Sequence, residues 1–189
     1  AAAEVEAPVR SSTLSGAILS AQVAEGDNDF KAMIAYYEQA LGFDPGNRQF
    51  EQSLLVALLT DGQYEAALPY AEKLKTVAEV ERVSRLALAV DAINKSEWTE
   101  AEAYLKLALQ SDLDRLITGL MTGWVKAGAG DGKGGAEFVE SLRGPEWYDL
   151  FKVVHKALIL DFAGDKVAAV DAYEAAAGKG SDGGQQQRI

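Results

Sequence analysis

Apolar residues recur along this chain every three or four positions, as on amphipathic helices, and short clusters of Gly, Asp, Asn and Pro interrupt them at regular intervals. The stretch DFKAMIAYYEQALGFDP, residues 29–45, shows the plan. Phe30, Met33, Ile34, Tyr37 and Leu41 fall on one helical face, Asp29 can cap the start, and Gly42 with Asp44-Pro45-Gly46 ends it. The plan then repeats. Thirty-four residues after Phe30 stands Tyr64, and thirty-four after that Trp98; Tyr36, Tyr70 and Tyr104 keep the same interval, as do Tyr37, Ala71 and Leu105. A fixed period of this kind marks stacked supersecondary units, each burying its apolar face against its neighbours.

The pattern predicts helices over Thr13–Glu25, from Asp29 to Gly42, and over Phe50–Thr60, Tyr64–Lys75, Val83–Asn94 and Trp98–Leu109, with Ser96 as a cap at the Lys95-Ser96 hinge. Leu116–Ala127 continues the series, but GAGDGKGG (128–135) replaces the short turn. Each glycine costs a helix roughly 1 kcal/mol relative to alanine, which confines the next helix to Ala136–Leu142, before Arg143-Gly144-Pro145. Regularity returns with Glu146–Phe162, the Gly164-Asp165 turn and Val167–Ala177. The expected organisation is a flexible segment (1–10), a helical repeat domain (11–177) and a polar end (178–189). The repeat units lie near 14–47, 48–81, 82–115, 116–149 (degenerate) and 150–183, and the polar end reads either as a flexible tail or as the start of a further repeat.

The spacing, the small residues Ala21, Ala89, Gly123 and Ala157 midway along the first helices, and Ala67, Ala101 and Ala169 early in the second helices resemble the tetratricopeptide repeat family. Residues 29–45, with their closing Asp-Pro, are similar to that family's typical second helix and exit turn. The resemblance covers roughly Ser11–Ala177. Met33 and Leu55 stand where small residues are usual, and only the first unit keeps the closing proline. It implies an all-α, right-handed α-α superhelix of about five tetratricopeptide-type hairpins. It also implies a non-catalytic, protein-binding solenoid whose concave face, lined by first helices, holds a peptide or a partner's helix.

On that face the resemblance places Ile18, Gln22, Val56, Leu59, Leu86, Val90, Ile93, Leu120, Trp124, Val154 and Leu158, with Gln52, Glu25 and Asp161 beside Gln22 at the rim. These describe an apolar groove with an acidic edge, suited to an apolar or amphipathic segment of another protein. The same side chains also suit packing between units. One well-known subgroup of the family grips chaperone carboxyl termini through Lys, Asn and Arg. The matching positions here, Ile18, Gln22, Ser53, Val83 and Ala87, cannot clamp a carboxylate. Self-assembly through incomplete repeat ends is the alternative function, and a repeat domain of a larger enzyme or transport complex a second one.

Composition narrows the chemistry. Against 18 Lys and Arg stand 29 Asp and Glu, a formal net charge of -11, so phosphate backbones and anionic lipid heads are repelled and nucleic acid is not an expected partner. Absence of cysteine removes disulfides and thiolate chemistry. No apolar run approaches the ~20 residues of a membrane-spanning helix. The AAAEVEAP start matches a mature secreted chain and equally an ordinary flexible segment, so the expected compartment leans periplasmic, with cytoplasm as the alternative and a bacterial source.

Residues 130, 132 and 135 satisfy the letters of a phosphate-binding glycine motif but lack the preceding strand. The lone His155 lacks companion metal ligands or a nucleophile at recognisable spacing, and reads as a surface or groove-lining residue. Glu79 with Glu81, and Glu97 with Glu100 and Glu102, lack a calcium loop. No catalytic residue, cofactor or metal is expected.

Overall fold

The computed structural model describes residues 9–107 and 111–185, with side chains to residue 178. Among the described residues all regular structure is helical: α1 (Leu14–Gly26), α2 (Phe30–Phe43), α3 (Arg48–Thr60), α4 (Tyr64–Leu74), α5 (Glu81–Asn94), α6 (Trp98–Leu105), α7 (Asp112–Gly128), α8 (Gly132–Ser141), α9 (Tyr148–Phe162) and α10 (Lys166–Gln185). The chain divides inside α5 into two compact units, Ala1–Leu88 and Ala89–Ile189. In the first, α1 packs on α2, α2 on α3 and α3 on α4. In the second, the pairs run α6 on α7, α7 on α8, α8 on α9 and α9 on α10, and α9 also touches α7.

One backbone device makes the hairpins. Asn28, Gly62, Ser96, Gly130 and Gly164 all hold positive φ (56°, 78°, 59°, 97° and 82°), and each lies thirty-four residues beyond the last. At each of them the chain leaves a helix through the same two hydrogen bonds. The left-handed residue's amide donates to the carbonyl three residues back, and the next amide donates five residues back: Asn28 to Glu25 and Asp29 to Ala24, Gly130 to Ala127 and Asp131 to Lys126. The second donor then opens the next helix. Asp29, Asp131 and Asp165 accept from the amides of Ala32, Gly134 and Ala168, capping α2, α8 and α10. Ser96 therefore does not cap α6; it holds the left-handed position, and Glu97 is the N-cap residue, without a side-chain cap bond.

The glycine-rich stretch is also not the loop expected from propensity. Helix α7 runs through Gly128, and α8 begins at Gly132. A Cβ on Gly135 would stand 2.5 Å from the carbonyl oxygen of Gly123, one on Gly132 2.2 Å from Ala163 Cβ, and one on Gly128 2.5 Å from the Trp98 ring. Helices and a ring meet there at distances only hydrogen permits, and the resulting packing offsets the roughly 1 kcal/mol per glycine that helix propensity loses.

Elsewhere the small residues behave as their spacing requires. Ala21, Ala67, Ala89, Ala101, Ala157 and Ala169 are buried, as are Met33 and Leu55 where small residues are usual. Between α2 and α3, Tyr37 and Phe50 pack with ring centroids 6.3 Å apart, and between α3 and α4 the buried carboxylate of Glu51 is paired with Lys73. Helix α6 ends at Leu105, and the expected extension over residues 108–110 lies outside the described residues. Helix α10 continues to Gln185, through most of the polar end; residues 186–189 and 1–8 also lie outside the description.

Two substitutions test these constraints by chemical denaturation. Ser96→Gly relieves a left-handed serine and should raise stability by about 1 kcal/mol. Gly135→Ala introduces the better helix former, yet should lower stability by ~1–3 kcal/mol because its methyl meets the Gly123 carbonyl. An unchanged midpoint for Gly135→Ala would mean that α7 and α8 can separate without cost.

Candidate functional site

Helix α9 is apolar on two faces, which an ordinary core helix is not. Its inner face buries Tyr148, Ala157, Ile159 and Leu160 in the core of the second unit, and the Tyr148 hydroxyl donates to the backbone carbonyl of Asp112. On the opposite side Trp147, Phe151, Val154, Leu158 and Phe162 fall within a sector of ~80° at 3.6 residues per turn. Trp147 is 45% exposed, Phe151 44%, Leu158 39% and Phe162 64%, and Val154 is half-buried. Trp147 and Phe151 meet edge to face with centroids 6.1 Å apart. A row of large apolar side chains left facing water is the kind of surface that partners cover.

The C-terminal end of this row is anchored by α7. Trp124, half-buried, packs edge to face on Phe162 at 5.8 Å and on His155 at 6.3 Å. Its indole Nε1–H donates to His155 Nδ1 at 2.9 Å. Indole nitrogen can only donate, so Nδ1 must carry no proton and the imidazole is neutral. Partial burial lowers the His155 pKa below the usual histidine value, in the same sense. His155 thus positions an aromatic ring.

The residues expected on the binding face are distributed as follows. In the first unit Val56 is 41% exposed, Gln22 is exposed, and Ile18, Leu59 and Leu86 are half-buried. In the second, Val90 is 38% exposed, Ile93, Trp124 and Val154 are half-buried, Leu158 is exposed, and Leu120 is buried in the core against the packing of α7. At the expected rim Glu25 and Asp161 are exposed and Gln52 is half-buried; Asp161 accepts from the Tyr173 hydroxyl at 3.4 Å. Trp147, Phe151 and Phe162 complete the α9 row and were not singled out by sequence reasoning. The available signal was the second apolar stripe at i, i+4, i+7, i+11 and i+15.

The glycine motif forms the start of α8. The carboxylate of Asp131 accepts from the Gly134 amide at 2.9 Å, so a negative charge occupies the place a phosphate would need. Of the acidic clusters, Glu81 pairs with Arg85 at 3.1 Å and Glu102 with Lys106 at 3.7 Å, along single helix faces. Among the described residues no group of three or more His, Asp or Glu converges as metal ligands do, and no helix is long and apolar enough to cross a membrane.

The Trp124–His155 pair has a pH consequence. Because the folded-state pKa of His155 is depressed, the unfolded chain takes up the proton first. The pair's contribution is therefore complete above the ordinary histidine value of about 6.5 and lost as pH falls through the lower, folded value. Thermal melts between about pH 8 and about pH 5 should show a loss of stability with a change in tryptophan emission, and His155→Gln should abolish the part due to this group. Identical pH profiles for the two proteins would show that the indole does not depend on a neutral imidazole.

With this geometry in hand, comparison with known proteins gives concordant results. A tetratricopeptide repeat family model matches residues 18–47, from within α1 through α2 and the turn that follows it. A crystal structure of MamA protein superposes with a TM-score of 0.71 at 16% sequence identity, covering 93% of this chain and 96% of that one, a likeness of fold. No curated protein matches the sequence. The repeat match, the all-helical array of hairpins and the thirty-four-residue recurrence of the turn agree: the chain contains a tetratricopeptide repeat at residues 18–47 and has the fold of an array of helical hairpins.

Proposed function

We propose that this protein is a protein-interaction scaffold and that the outer face of α9 receives an amphipathic helical segment of a partner. The observation that carries this reading is the row Trp147, Phe151, Val154, Leu158 and Phe162, continuous over the length of one rigid helix and opposite its buried face. Aromatic side chains supply most of it, and aromatic anchors dominate the energetics of many interfaces. A helix laid along α9 would meet them at its own i, i+3, i+4 and i+7 positions. Because the chain carries a net charge of -11, the favoured segment has basic residues flanking its apolar stripe.

The test is site-specific photo-crosslinking from position 158 in cell extract, with mass spectrometry of the trapped segment and titration of that segment as a synthetic peptide. The expected result is an amphipathic, basic segment whose affinity falls at least about tenfold for Phe151→Glu, while thermal stability stays within about 0.5 kcal/mol, as for other surface changes. Crosslinks only between copies of this chain would replace the reading with self-assembly. Unchanged peptide affinity in Phe151→Glu would move the contact away from α9.

A further inference from the structure

We propose that the second unit holds a separate small-molecule site, for an apolar monocarboxylic acid, in the cavity that α6, α7 and α8 enclose. The cavity has a volume of about 380 Å³, within the usual range for small-ligand sites. Its walls are apolar, supplied by Leu105, Gly119, Phe138, Leu142 and the Tyr148 ring. Apolar walls in contact with water favour a guest that covers them.

Two independent observations give that guest its chemistry. Thr118 lines the cavity, is only 5% exposed, and its hydroxyl forms no hydrogen bond among the described residues; its backbone carbonyl accepts from Thr122 instead. A hydroxyl that lines the cavity without a protein partner is available to a guest oxygen. The second observation is charge. In a chain with 29 acidic and 18 basic residues, three of the four charged side chains lining this cavity, Lys106, Arg115 and Arg143, are basic. Arg115 is already bonded to Asp112 at 2.7 Å, and Lys106 stands 3.7 Å from Glu102, the one acid present. Arg143, exposed, makes no hydrogen bond or ion pair among the described residues.

Its guanidinium can take a carboxylate through two parallel hydrogen bonds, and it is the group on which an anionic head would settle. A single free guanidinium in a lining that also holds Glu102 suits one negative charge better than the two of a phosphate monoester. Apolar walls, a hydroxyl and an unpaired guanidinium among the lining residues thus select an acid with a hydrocarbon body.

Isothermal titration of the full chain with octanoate, octan-1-ol and octylamine tests the assignment. Octanoate should bind with one-to-one stoichiometry, octan-1-ol at least about tenfold more weakly, and octylamine without measurable heat. Arg143→Gln removes no existing contact and should bring octanoate down to the level of the alcohol. Thr118→Val keeps the volume, removes only the hydroxyl and should weaken octanoate several-fold. Binding should survive Phe151→Glu, which separates this site from the α9 surface. Equal affinity for acid and alcohol, full octanoate affinity in Arg143→Gln, or no heat with octanoate would each overturn the proposal.

Discussion

The constraint on which everything else rests is a single left-handed residue after every other helix. At Asn28, Gly62, Ser96, Gly130 and Gly164 the backbone reverses through one residue of positive φ, and the amide that follows closes the helix just ended while starting the next. Such a turn leaves no slack. Because the hairpin connection is fixed, helix length and turn must add up to the same count in each repeat, and the thirty-four-residue period is a statement about backbone geometry before it is one about side chains. Glycine at three of the five positions meets the conformation without a Cβ penalty, asparagine tolerates it, and serine bears it with strain.

The irregular fourth repeat follows from the same logic. Its glycines look like a breakdown of helical structure, and intrinsic propensity alone would make them one. Only Gly130 serves the turn, however; Gly128, Gly132 and Gly135 are places where the Trp98 ring, Ala163 and the Gly123 carbonyl come too close for any side chain. Tertiary packing outweighs local preference here, since the cost of a glycine is local and fixed whereas the gain is the whole contact between α7, α8 and α9.

This contrast explains how much of the molecule was legible in its sequence. Helix positions, the cap at Asp29 and the buried alanines could be read because each depends on neighbours within one helical turn or on the period. The start of α8 could not, because its justification lies in residues packed across helices. The Trp124–His155 bond joins positions thirty-one apart, three short of the period, and depends on how two helices lie side by side. Phe151 and Phe162 satisfy helical periodicity whether buried or exposed, so their pattern alone could not say which face of α9 meets the core. A cavity such as that lined by Leu105, Phe138 and Leu142 is a place where side chains fail to fill space, and no residue in the sequence announces it.

The two-faced character of α9 raises the question of what keeps so much apolar surface from simply pairing with itself. A second copy would bring the same row, but it would also bring the same net charge of -11, and like-charged surfaces are repelled on approach. Dispersion and burial alone do not distinguish a foreign helix from a second copy; the field does. In the proposed mode a segment with basic flanks gains both from covering the aromatic row and from the chain's net negative charge, whereas a second copy gains the first and loses the second. That difference shrinks as salt screens the field, over a Debye length of about 8 Å at physiological ionic strength. If α9 is covered as proposed, low ionic strength therefore sharpens selectivity for a heterologous partner, and high salt brings the two modes of covering towards parity.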